Sequence, residues 1–208
     1  MSKNVKRNTK RMIKTDIVGG EDEMNQFEST TQPAGEFDGK FAERRRLDLT
    51  RFNGQDLIHV REYVMGEKRE YPTKIGVCFT PGRLKALCRN IEEIDEELRQ
   101  RNANASYKVD RGEVVYKAHL GAGIYASVNN KFNGVDLRRY WVPEGQLTAV
   151  PTRNGIYLPE YQWRALKIKL NELMCIHPEL TVAEECFHQN QMDMIDCHEC
   201  MPFGLLCI

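Results

Sequence analysis

The chain has 208 residues, 41% of them hydrophobic, and its 30 Lys plus Arg balance 30 Asp plus Glu, so the formal net charge is zero. That length leaves room for one or two small domains. No apolar run of ~18 residues is there to span a membrane, and the basic start lacks the apolar core of a secretory signal.

The neutral total hides an asymmetry. Residues 1–15 hold six basic residues and no acid, whereas residues 170–208 hold seven acids and neither Lys nor Arg. Residues 1–35 are polar, charged and without apolar periodicity, the pattern of a disordered basic arm. Such an arm suits a polyanion or nuclear import, or is simply a solvated tail.

From Phe37 the pattern changes. Arg46 to Arg51 alternates with period two, as a half-buried strand does. Asn53-Gly54 signals a hairpin turn, Leu57 to Val64 reads as the returning strand, and a turn near Gly66-Glu67-Lys68 leads to a strand over Ile75–Phe79. Pro81 is suited to a first helical turn. Leu84, Leu87, Cys88, Ile91, Ile94 and Leu98 then form one apolar stripe, predicting a single helix to about Arg101. Asn102 to Ser106 is a polar break. Beyond it, Tyr125–Val128 is a strand, Asn129-Asn130-Lys131 a turn without an aromatic, Val135–Val142 the returning strand and Gly155–Leu158 the last strand. Pro159 opens a helix whose stripe holds Trp163, Leu166, Leu170, Leu173 and Met174.

The order of these elements repeats. Leu57-Ile58-His59-Val60-Arg61-Glu62-Tyr63 is echoed by Val135-Asp136-Leu137-Arg138-Arg139-Tyr140-Trp141, with the arginines Arg61 and Arg138 77 residues apart. The glycines of Lys74-Ile75-Gly76 and Arg153-Asn154-Gly155 are 79 apart. A period that long exceeds solenoid units and reads as a duplicated small domain. Two such units would each be marginal alone, which favours their packing together. The expected class is α+β: two tandem units, each a curved antiparallel sheet followed by one long helix, paired as an intramolecular pseudo-dimer. The expected boundaries are 1–35 for the arm, 36–101 and 114–175 for the repeats, 102–113 for the linker and 176–208 for an acidic Cys/His tail.

Two strings carry a family resemblance: Phe52-Asn53-Gly54 with Ile58 to Tyr63, and Val135 to Trp141 with Gly155-Ile156-Tyr157-Leu158-Pro159-Glu160-Tyr161-Gln162-Trp163. The chain resembles the RNA polymerase II transcriptional coactivator family, positive cofactor four. The resemblance implies a nuclear, non-enzymatic protein that binds single-stranded or melted DNA with little sequence preference, with transcription machinery as a partner class and two units pairing through their helices. Pairing within one chain is the expectation, and a homo-oligomer of the doubled chain stays open.

Sequence-independent strand binding needs cations for phosphates and flat groups for bases. Alternation puts Leu57, His59, Arg61 and Tyr63 on one face and Ile58, Val60 and Val64 on the other. Arg138 and Tyr140 repeat the Arg–Tyr pair. Lys40, Arg44, Arg45, Arg46 and Arg51 gather near the first hairpin. The resemblance adds Phe52 at the turn, Lys74 and Arg153 before the glycines, and Trp141 as a stacking residue. The plainer reading is a solvated sheet surface. Trp141 conflicts with simple alternation, so either the strand end bulges or the indole is buried. Ala122, Gly123 and Ile124 stand where the first copy has basic residues, which makes the copies unequal.

Five of the seven cysteines lie in the last 34 residues. Cys186, His188, Cys197 and Cys200 include a Cys-x-x-Cys half-site and make a candidate zinc set, with Cys175 and His177 a second Cys-x-His pair. A reduced tail without metal and a redox or hydrolytic Cys–His site stay open. The rival function is a zinc-stabilised protein-interaction adaptor that keeps the fold without nucleic-acid binding. No phosphate loop, nucleophile elbow or paired carboxylates argue for an enzyme.

Overall fold

Four strands in each half build two separate four-stranded antiparallel meanders. The computed structural model describes residues 37–103, 114–141, 143 and 149–185. The first sheet runs β1 (Lys40–Ala42), β2 (Arg45–Phe52), β3 (Gln55–Met65) and β4 (Glu70–Phe79); the second runs β5 (Val114–Gly121), β6 (Ile124–Asn129), β7 (Gly134–Trp141) and β8 (Val150–Pro159). In each sheet the spatial order follows the chain order. The α+β expectation holds at this level. The first strand of each sheet, β1 with three residues and β5 with eight, lies where no strand was expected.

Period two decides which face is buried. Leu47, Ile58, Val60, Val77 and Phe79 point inward from the first sheet, and Leu120, Ala126, Leu137, Ile156 and Leu158 do so from the second. Between β2 and β3, Asn53 (φ 50°) and Gly54 (φ 78°) both take the left-handed region. This is the geometry an Asn-Gly hairpin turn supplies, matching the twist of its strands.

The helical stretch after β4 is not one helix, contrary to expectation. It comprises α1 (Pro81–Arg89) and α2 (Ile91–Ala103). Asn90 is the break: its side-chain amide donates to the Ala86 carbonyl at 2.7 Å, and its backbone N–H shares the Ala86 and Leu87 carbonyls. An Asn side chain that takes a carbonyl from the helix ladder offers the backbone an exit from the helix. Tyr116 of β5 donates to Asn90 Oδ1 at 3.0 Å and to Glu93 at 2.8 Å, holding the break against the second sheet. Asn102, expected in the linker, belongs to α2.

The last helix, α3 (Glu160–Ile176), follows Pro159 and ends in a short 3₁₀ turn over Pro178–Thr181. The helices serve both sheets. α3 touches β1 and β2 as well as β7 and β8, α1 touches β5 as well as β3 and β4, and α2 touches β5 and β6. The buried side chains of both halves join in one core that includes Leu84, Leu87, Ile94, Trp163, Leu166 and Leu170. Each such side chain contributes roughly 1.5–3 kcal/mol on burial, so the crossed helices make each sheet depend on the other half. The edge strands β4 and β8 lie beside each other without joining the sheets.

Candidate nucleic-acid interface

With one face of each sheet committed to the core, the other face carries the polar side chains. On the first sheet the register places Lys40 opposite Arg46, Arg46 opposite Arg61, and Arg61 opposite Gly76. Directly paired residues share a face, so three cations run in one row across β1, β2 and β3 and end at a glycine. A Cβ on Gly76 would lie 2.6 Å from the Val60 carbonyl oxygen and 2.9 Å from Arg61 Cα. Only glycine permits that approach of β4 to β3.

Arg61 is held by a 2.7 Å hydrogen bond from Nη1 to the Thr73 carbonyl. Thr73 Oγ1 in turn donates to the Glu62 carbonyl at 2.9 Å and accepts from the Ile75 N–H. Arg46 pairs with Glu70, and its guanidinium carbon lies 5.5 Å from the Tyr63 ring centre. Tyr63 donates to Asp48 Oδ2 at 2.5 Å. Burial, reinforced by that hydrogen bond, holds its phenol well above the usual range, so it stays neutral. His59 lies within 3.0 Å of Thr50 Oγ1, and burial together with the Arg61 charge pushes its pKa down.

The second sheet repeats the framework with different chemistry. His119 faces Tyr125, Tyr125 faces Arg138, and Arg138 faces Gly155. Arg138 Nη1 donates to the Thr152 carbonyl at 2.9 Å, Thr152 Oγ1 donates to the Arg139 carbonyl, and the Asn154 N–H donates to Thr152 Oγ1. These bonds match those of Arg61, Thr73 and Ile75 one for one. A Cβ on Gly155 would meet Arg138 Cγ and the Leu137 carbonyl oxygen, each at 2.8 Å. Asp136, however, takes the place of His59. It accepts from Arg138 Nε at 2.8 Å and Nη2 at 2.9 Å, a bidentate pair that neutralises this arginine and raises its pKa.

The structure resolves the position of Trp141. The register shifts between Arg138 and Tyr140, and the indole is 55% exposed, so the strand end bulges and the ring is not buried. Phe52 is 51% exposed at the hairpin tip beside Arg51, which pairs loosely with Asp56 at 3.6 Å. Arg44, Lys74 and Arg153 are exposed. Arg45 is used differently from its expected place in the basic cluster. Its guanidinium crosses to the other half, donating to the Tyr157 carbonyl at 2.6 Å and to Gln162, with Glu62 at 3.9 Å. It joins the halves and is not presented outward.

One further expectation needs correction. The turn between β6 and β7 extends to Asn133 and does contain an aromatic: Phe132 is 48% exposed, with Lys131 Nζ 5.1 Å from its ring centre. Ala122 and Gly123 form the β5–β6 turn, and the Gly123 carbonyl accepts from the Tyr140 N–H as the Arg44 carbonyl accepts from the Tyr63 N–H, so Gly123 stands at the place of Arg44 and Ile124 at that of Arg45. Lys117, His119 and Tyr125 were not singled out by sequence reasoning. The signal was the polar–apolar alternation of Lys117-Ala118-His119-Leu120, which marks a strand with Lys and His on its outer face. Cys186, His188, Cys197 and Cys200 lie outside the described residues. Among the described residues, no group of three or more His, Cys, Asp or Glu side chains is placed to hold a metal ion, and no helix is long and apolar enough to cross a membrane.

No curated protein and no solved structure matches the chain. A family model described as Transcriptional Coactivator p15 (PC4) matches residues 40–90, the first sheet with α1, and supports that coactivator family for this part of the chain.

Proposed function

We propose that the protein is a DNA-binding transcriptional coactivator that holds single-stranded or melted DNA on the outer faces of its two sheets. The observation that carries this reading is the row Lys40–Arg46–Arg61, laid across three strands within the segment that matches the coactivator family. Cations spaced across a twisted sheet suit a phosphate backbone, and exposed rings suit unpaired bases. Lys40, Arg44, Arg46, Arg51, Arg61 and Lys74 supply the charge on the first sheet; Phe52 and Tyr63 flank it. On the second sheet Tyr140 and Arg153 lie at the places of Tyr63 and Lys74, and Trp141 lies at that of Val64.

The matched registers and hydrogen bonds of the two halves support reading residues 114–175 as a second coactivator-like copy and the chain as an intramolecular pseudo-dimer. Family membership of the first copy suits a nuclear protein that works beside the transcription machinery. The test is a low-salt gel shift with one oligonucleotide as a single strand and as a duplex. Preferential retention of the single strand supports the reading; equal or absent binding overturns it.

A further inference from the structure

The two outer faces share a framework but not a chemistry, and the difference falls in one row. The positions of Lys40 and Arg46 on the first sheet correspond in register to His119 and Tyr125 on the second. The third position is arginine in both, yet Arg138 is already neutralised by Asp136. Among the described residues, Arg61 has no carboxylate within ion-pair distance and is held by a backbone carbonyl. One row therefore carries three cations, of which Arg46 is paired with Glu70, and the other carries two rings and a neutralised arginine.

Those rings form a cluster. His119 and Tyr125 have ring centres 4.9 Å apart, and Tyr125 meets Tyr140 edge-on at 5.0 Å. The Lys117 ammonium lies 4.2 Å from the Tyr125 centre and 3.7 Å from the Tyr140 centre. A cation over two ring faces is attracted by their negative quadrupoles. A lysine stem is long and flexible enough to reach a phosphate instead, which would leave the ring faces open.

We infer that the outer face of the second sheet is a nucleobase-stacking platform, built on Tyr125 and Tyr140 with His119 at its edge, and that Lys117 moves from the rings to a backbone phosphate when a base docks. The first sheet then binds chiefly the sugar–phosphate backbone. This division of labour rests on the single-strand reading above and extends it. It assigns a role to Lys117, His119 and Tyr125, and it makes the two halves unequal by design of their rows.

The test uses the full chain and fluorescence anisotropy with two labelled probes of equal length, oligo-dT and the same backbone bearing abasic sites. Wild type is expected to bind oligo-dT about tenfold or more tighter than the abasic strand, as stacking on one or two rings supplies. Tyr125→Leu should erase most of that preference. Tyr125→Arg, which keeps a long side chain on an outward position, should also lose the preference and gain a steeper salt dependence. Arg46→Ala should weaken both probes alike. If the Tyr125 variants, folded by circular dichroism, retain the full preference for bases, the platform is wrong. Failure of wild type to bind either strand would instead overturn the single-strand reading itself.

Discussion

The indole Nε1 of Trp163 in α3 donates a 2.7 Å hydrogen bond to Asp95 Oδ1 in α2. The ring is fully buried, and Lys167 pairs with the other carboxylate oxygen. This bond ties the helix after the first sheet to the helix after the second. Trp163→Phe removes the donor and leaves a void where the indole's five-membered ring sat, so it should cost about 1.5–3 kcal/mol for the hydrogen bond to a charged group, plus a cavity penalty. Because the core is shared, urea unfolding of the variant should remain one transition by circular dichroism and by fluorescence. Separate transitions for the two probes would contradict a single cooperative core.

The glycines at the ends of the two rows should be equally intolerant. Gly76→Ala drives a methyl against the Val60 carbonyl, and Gly155→Ala drives one against Leu137 and Arg138. Each is expected to lower stability by about 1–3 kcal/mol, the usual penalty of overpacking. Thermal melts of both variants check this, and an unchanged melting temperature in either would show that the strands can part without cost.

The His59 imidazole gives a pH signature. Its folded-state pKa is pushed below the ordinary value by burial and then by Arg61. The unfolded chain therefore takes up this proton more readily than the folded one. The stability it contributes is complete above the ordinary histidine pKa of about 6.5 and falls as pH drops through that value toward the folded pKa. Urea midpoints should be lower at about pH 5.5 than at about pH 7.5, and His59→Gln should flatten that difference. A variant with an unaltered pH slope would remove His59 from the account.

Arg61 and Arg138 occupy equivalent places but should not contribute equally to strand binding. Arg138 is locked to Asp136 by two charge-assisted bonds, whereas Arg61 leans on a carbonyl. Arg61→Ala is expected to reduce the salt slope of single-strand binding by about 0.7, and Arg138→Ala to change it less. Asp136→Asn should free Arg138 and steepen the slope. Equal slopes in all three variants would contradict this assignment.

Much of this was legible in the chain. Period-two alternation located β2, β3 and β7 and most of their buried faces, but Val64, grouped with Ile58 and Val60, is exposed because the register of β3 shifts between Arg61 and Tyr63; the paired Arg-x-Tyr and Gly segments led to matching registers. What escaped notice depended on tertiary partners. Asn90 breaks the helix because Tyr116, from a distant strand, fixes its side chain. Arg45 looks like one more member of a basic run until α3 is placed against β1 and β2. Trp141 was ambiguous because a bulge shifts the alternation by one residue, and only the strand pairing reveals it. The ring cluster was hidden because Lys117, His119, Tyr125 and Tyr140 come from three strands with no local motif.

The central claim is sequence-tolerant binding of single-stranded DNA through the row Lys40–Arg46–Arg61, and a salt-titrated anisotropy measurement tests it most directly. Wild type should bind oligo-dT more tightly than duplex, with log affinity falling linearly as log salt rises, at about 0.7 per phosphate neutralised. The triple variant Lys40→Ala, Arg46→Ala, Arg61→Ala should show a slope shallower by about 2. A wild type with no single-strand preference, or a triple variant with the wild-type slope, would contradict it.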